Sequence, residues 1–356
     1  MIELLVATSI FLIITGIVAT ALKQVTQSQS TIWNRTQMHS GVRGATELMQ
    51  QEVGQAGRIA TPVPIIAAGA IPGAGAGNCD PSHPGEWGPQ PSPVNPAGGP
   101  YAPAPAIAVA PVAVSGVNQY GTDGLFGSAG AAPLSYTLLT TMDGPSREFT
   151  QVYSVDKAAH TFVACFESPH NAGTVLMALG GFANGIVPPV GVPNGSTANV
   201  LKMFGDINGD GNMVYVEYTC DTTNAHKLYR NVMAFDAVAK PPLSDALVLL
   251  SNVMPHPDGS TGCFNYQIMP DPAHVPPDPQ IIVQGIPVTF VLDVAITLTV
   301  QTQQKDPVTG QFQKETKALL NVSPRNVFNS WQLAGAGYTD HMQSTPGTIT
   351  ALLAMP

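Results

Sequence analysis

Between Glu3 and Lys23 the chain MIELLVATSIFLIITGIVATALKQ carries no charge. A helix needs an uncharged run of about this length to cross a bilayer core. The run differs from a secretory signal peptide, which opens on basic residues and ends at a small-residue cleavage site. Here an acid opens it. The helical pattern continues past Lys23. Met38, Val42, Ala45, Met49, Val53 and Ala56 recur every three or four residues and form one stripe. The opposite face carries Gln, Arg and Glu, and the first proline is Pro62. The spacing predicts one helix from near residue 2 to about residue 58, apolar all round in residues 1–23 and amphipathic afterwards. Gly16, Gly41 and Gly44 are its weak points, each costing about 1 kcal/mol against Ala. Glu3 is the anomaly. A carboxylate near the bilayer centre costs a few kcal/mol. The helix dipole offsets part of that at an N-terminus, and a free amine from another chain would offset more.

At 356 residues the chain can bury a sizeable core. Its net charge of −9 argues against a surface that tracks phosphates, so no nucleic-acid partner is expected. HExxH, GxSxG, GxGxxG and P-loop patterns are missing and the histidines are scattered, so no enzyme is expected. Arg230 and Arg325, each followed by Asn, read as structural arginines that pair a carboxylate or cap carbonyls. The cysteines are Cys79, Cys165, Cys220 and Cys263, none in CxxC spacing. If the head is exported, up to two disulfides are possible, in any of three full pairings.

Residues 59–112 are rich in Pro, Gly and Ala and read as an irregular loop region, partly extended. Residues 113–356 read as a β-rich head. LSYTLLTTM, FTQVYSV and HTFVACF are short β-prone runs. VYVEYTCD and HKLYRNVM flank TTNA as a hairpin. VLDVAITLTVQTQQ places Val294, Ile296, Leu298 and Val300 on one face, and Thr297, Thr299 and Gln301 on the other. KALLNVSPRNVF follows as its partner. The expected fold class is α+β: a long N-terminal helix whose amphipathic half packs on an antiparallel sheet, with long Pro/Gly loops.

The string Asp206-Ile207-Asn208-Gly209-Asp210-Gly211-Asn212 sets oxygen side chains at alternate positions, with Gly where the loop bends. That pattern suits a hard cation such as Ca²⁺. The string extends to Glu217 in EF-hand spacing. MVYVEYT, however, alternates like a strand, and at about 3.3 Å per residue a strand carries Glu217 roughly 20 Å away unless the chain bends. The expected ligands are therefore Asp206, Asn208, Asp210 and the Asn212 carbonyl, with water or a distant carboxylate completing the shell; Glu217 joins them only if the chain bends. A metal-free turn uses the same residue types.

MIELLVATSIFLIITGIVATAL resembles the prepilin N-terminal signature, whose mature form begins Phe-Thr-Leu-Ile-Glu-Leu or Phe-Ser-Met-Ile-Glu-Leu. The order of the LYRN hairpin, the CFNY strand, the ITLTVQT strand and the terminal PRN resembles large type IV minor pilins of the PilW kind, over about residues 200–328. The resemblance implies that Glu3 neutralises the N-terminal amine of a neighbouring subunit during assembly. It implies a longer precursor, cut by a prepilin peptidase, with the leader and first two mature residues ahead of Met1. It implies a single-pass protein of the bacterial inner membrane that later enters an extracellular pilus (fimbrium), with other pilin subunits as partners through the N-terminal helix. The family's helix-melting proline has no counterpart here; Gly16 stands nearest. The expected function is a minor pilin that primes assembly or presents a head at the tip, where it can serve cell adhesion. A type II secretion pseudopilin in a periplasmic filament rests on the same physics. A membrane-anchored calcium-dependent binding module that never polymerises is the alternative from another class.

Overall fold

Helix α1 runs Ile2–Gln55 without a break, roughly 80 Å at 1.5 Å per residue. Its two halves obey different rules. The first half is apolar all round and exposed. In the second, the three-four spacing turns Val42, Ala45, Met49 and Val53 onto one buried stripe. The computed structural model describes residues 1–61, 63–73, 107–108, 110, 112–114, 117–119, 138–156, 158–235, 237–276, 278–283, 286–339, 342–343 and 345–355.

After α1 come β1 (Ile65–Ile66), β2 (Ile107–Ala108), β3 (Val112–Val114), β4 (Val117–Gln119), β5 (Leu138–Thr141), β6 (Phe149–Asp156), β7 (Thr161–Ala164), β8 (Val175–Leu179) and β9 (Gly181–Phe182). Then follow β10 (Val200–Gly205), β11 (Val214–Asp221), β12 (Lys227–Ala234), β13 (Val248–Ser251), β14 (Val253–Met254), β15 (Phe264–Met269), β16 (Ile281–Val283), β17 (Ile286–Val288), β18 (Phe290–Gln301) and β19 (Lys314–Val322). The last elements are α2 (Arg325–Gly335), β20 (Met342–Gln343) and α3 (Gly347–Ala354). The fold is α+β, with one long N-terminal helix and several antiparallel sheets.

Two of those sheets meet the helix. One has the order β10-β11-β12-β13. In the other, β18 is central, with β14 and β15 along one side and β19 along the other. The helix stripe shares one core with Val216, Tyr218 and Leu228 of the first sheet and with Val294, Ile296, Leu298 and Val300 of β18. Burying a Val or Met side chain contributes about 1.5–3 kcal/mol. Most of the stability of such a helix half therefore comes from the packing of its stripe. The Cys220–Cys263 disulfide ties the end of β11 to the residue ahead of β15. Cys165 is also disulfide-bonded, and Cys79 lies outside the described residues.

The six-stranded sheet has the order β1-β8-β5-β6-β7-β2 and its own core of Ile65, Leu139, Val152, Phe162 and Leu176. The Pro/Gly/Ala-rich stretch read as irregular loop thus contributes short strands, β1 and β2, one at each edge of this sheet. Edges are where proline-rich backbone is tolerated. Residues 74–106 of that stretch lie outside the described residues.

The helix ends three residues earlier than expected. Ala56 leaves helical space at ψ 140° and Gly57 takes φ +78°. The chain then crosses the sheet at close quarters. Gly57 N–H donates to Phe204 O at 2.9 Å, and Gly57 O accepts from Phe182 N–H at 2.9 Å. A Cβ on Gly185 would stand 2.2 Å from Gly57 Cα, so only glycine fits there.

Helices α2 and α3 were not expected in a head read as β-rich. Each starts directly after a proline, Pro324 and Pro346. Val327, Phe328 and Trp331 of α2 pack on Phe290 and Leu292, in the half of β18 that α1 leaves uncovered. Ile349, Leu352 and Leu353 of α3 pack on Phe204, Tyr215 and Met233. Strand alternation puts that face of the β10–β13 sheet opposite the one covered by α1.

Candidate functional site

The first site is the free end of α1. An 18-residue window of the helix with mean hydropathy 2.4 has none of its surface buried, which makes this helix long and apolar enough to cross a membrane. Leu4 and Phe11 are 74% and 68% exposed. The polar side chains of this segment have been dealt with one by one. The hydroxyls of Thr8, Ser9, Thr15 and Thr20 donate to the carbonyls of Leu5, Leu5, Phe11 and Gly16 at 2.8–3.0 Å. Such back-bonding satisfies a hydroxyl where water is excluded. Glu3 is the exception: exposed, and without a hydrogen-bond or ion-pair partner among the described residues.

Where the helix reaches the head, polar contacts come first. Arg35 Nε donates to Gln313 Oε1, and His39 pairs with Glu315, both from the connection between β18 and β19 or its margin. Deeper in lies a buried charge. Glu52 is 4% exposed on α1. Its carboxylate accepts the Tyr218 hydroxyl at 2.5 Å and Arg230 Nε at 3.0 and 3.2 Å. Tyr218 and Arg230 stand opposite one another on β11 and β12, so the sheet presents both donors on one face. Burial, and then the Glu52 carboxylate, push the Tyr218 hydroxyl above its ordinary range. Burial works against the Arg230 charge, but the hydrogen bond and the charge of Glu52 outweigh it and raise its pKa. Arg230 is thus a structural arginine paired to a carboxylate. Arg325 has no such partner among the described residues. It is exposed at the first position of α2, away from the carbonyl end of that helix, and lines a cleft of about 900 Å³ with Arg58, Glu47 and Asn208.

The second site is the Asp206–Asn212 turn. Its residues divide by burial: Asp206 is fully buried, whereas Asn208, Asp210 and Asn212 are exposed. Asp206 Oδ1 accepts Gly211 N–H at 3.2 Å, and Asp210 Oδ1 accepts Asn212 N–H at 2.9 Å. The Arg58 Nε stands 3.5 Å from Asp206 Oδ2. The turn therefore gathers Asp206, Asn208 and Asp210 in one loop, but a cation from the end of α1 already faces the inner carboxylate. Glu217 belongs elsewhere: it accepts the Tyr215 hydroxyl at 2.6 Å and Lys240 Nζ at 2.8 Å. Among the described residues no three His, Cys, Asp or Glu side chains form a group that could hold a metal ion.

The chain is thus defined as an α+β protein carrying a free apolar helix with one unpaired acid near its start. No family model, no curated protein and no solved structure matches it.

Proposed function

We propose that this chain is a structural subunit of the minor-pilin type. Its N-terminal helix lies first in a membrane and then packs among the same helices of other subunits in a type IV pilus. One observation carries this reading: the apolar half of α1 stands clear of its own head, with every hydroxyl satisfied within the helix and its one acid, Glu3, without a partner among the described residues. A simple anchor gains nothing from a carboxylate in lipid. A helix that assembles beside others gains an ion pair with a neighbour's cation in a water-poor interior. The head, tied to the other half of the helix, is what such a subunit would present at the tip or use in priming assembly. A type II secretion pseudopilin would use the same parts. Fractionation of expressing cells tests the first step. The full chain should sediment with membranes, resist high salt and alkaline carbonate, and be released by detergent. Recovery in the soluble fraction would overturn the proposal.

A second reading, an anchored calcium-dependent module, draws on the Asp206–Asn212 turn. Asp206, Asn208, Asp210 and the Asn212 carbonyl would supply the ligands. Arg58 would have to withdraw, and its side chain is 43% exposed and so has somewhere to go. Calorimetric titration with Ca²⁺ should then give heat. At a hundredfold excess over Kd, stability should rise by about 2.7 kcal/mol. No heat and an unmoved Tm would remove calcium from the account.

A further inference from the structure

The β18–β19 hairpin runs beside α1 toward its free half. Helix residues Glu47, His39, Arg35 and Thr31, taken in that order, face Lys317, Glu315, Gln313 and Asp306. Descent along the helix is matched by descent toward the end of the hairpin. The turn at residues 305–312 therefore points at the apolar run.

That turn is fixed from within. Asp306 is only 5% exposed, although it sits at the end of a hairpin. Its Oδ1 accepts the N–H groups of Val308 and Thr309 at 2.8 and 3.0 Å. Asp306 O accepts Gly310 N–H at 2.8 Å, and Asp306 N–H donates to Gln311 O at 2.9 Å. A carboxylate that bonds the backbone two and three residues on locks a turn. The acid thus faces inward, and other side chains face out. Val308 is 73% and Phe312 40% exposed, with Lys305 Nζ 5.7 Å from the centroid of the Phe312 ring.

Charge at this end of the molecule runs against the whole. The chain carries −9, yet α1 has Lys23, Arg35 and Arg43 and no acid between Glu3 and Glu47. The hairpin adds Lys305 and Lys314, while Glu315 is paired to His39 and Asp306 is turned in. Such an end suits an anionic surface. The reach fits as well. From Leu22, the last apolar residue before Lys23, to Thr31 the helix rises about 14 Å. The headgroup layer takes up about 5–8 Å of this. Extended backbone carries Val308 up to about 7 Å beyond the level of Asp306, which closes the gap.

We infer that the β18–β19 turn is a foot that docks on the anionic headgroup surface of the membrane crossed by α1. Val308 and Phe312 enter among the headgroups, and Lys305 meets lipid phosphate. The foot rests on the membrane stage of the reading above and adds the lipid class that the head meets there. One cation and two half-free apolar side chains make a light contact, which suits a subunit that has to leave the membrane to assemble.

Tryptophan quenching tests it. The full chain is reconstituted in vesicles of two parts phosphatidylcholine to one part phosphatidylglycerol, with bromine on the acyl chains near the headgroup. The emission that Val308→Trp adds to the wild-type signal should be quenched. The emission that Val275→Trp adds should not be, since Val275 follows the end of β15 that pairs with Phe290, at the other end of β18. Vesicles of phosphatidylcholine alone should weaken the quenching. Lys305→Gln in the Val308→Trp chain should lower the ratio of quenched to unquenched emission about fivefold, the worth of one basic residue at an anionic surface. Flotation of the same vesicles reads the membrane stage separately. A chain that fails to float sinks that stage and the foot with it. A chain that floats, with Val308→Trp no more quenched than Val275→Trp, overturns the foot alone. Quenching indifferent to both lipid charge and Lys305→Gln would come from the added tryptophan itself, and overturns it too.

Discussion

Replacing Arg230 by Met is expected to destabilise the folded chain by about 3–5 kcal/mol, because it leaves a buried carboxylate without its cation. Glu52 is 4% exposed and would keep only the Tyr218 hydroxyl as a donor. One hydrogen bond from a neutral group does not offset the desolvation of a charge. On a chain of this size the loss should appear as a fall in Tm on the order of 10 °C. Pairing the change with Glu52→Gln makes the argument specific. The double variant buries no charge, and its amide still accepts from Tyr218, so most of the loss should be regained. That pattern separates an unpaired charge from a cavity, since a cavity at position 230 would remain in both variants. Thermal unfolding of the three proteins in detergent measures it. Equal Tm values for the single and double variants would show that the site is held by packing alone.

The same cluster shows where sequence reasoning stops. The stripe from Val42 to Val53 is legible because helical periodicity is local, and the faces of β18 are legible because alternation is local. The partnership of Glu52 with Arg230 spans 178 positions and has no local signature. Arg230 could be read as structural, but not to whom it was bound. Arg58 beside Asp206 is the same case: a cation arriving from the end of α1 alters a turn that, read alone, looks built for a cation. Helices α2 and α3 failed for another reason. GTITALLA is a short apolar run with no clear period, and such runs suit a strand or a helix equally until packing chooses. Prolines ahead of both helices were the available signal. Glu3 is legible without the fold, because the helix dipole offsets only part of the cost of an acid at the head of an uncharged run.

Glu3→Ala is expected to separate insertion from assembly. Removing a carboxylate from an apolar helix lowers the cost of placing it in lipid, so the variant should reach the membrane at the wild-type level or above. Assembly should respond in the opposite sense. In a bundle of such helices the Glu3 carboxylate would face a cation of the adjoining subunit, and truncating one member of a buried charge pair costs about 2–5 kcal/mol. At 1.4 kcal/mol per tenfold, the fraction entering filaments should fall by roughly thirtyfold or more. Glu3→Gln divides charge from shape: it keeps the length and the hydrogen-bonding oxygen, yet should fail almost as badly if charge neutralisation is what counts. Quantitative immunoblots of sheared filaments against membrane fractions give both numbers from one culture. If the Ala variant enters filaments as well as the wild type, the carboxylate has no assembly role. The apolar helix would then serve as an anchor, and the binding-module reading would take precedence.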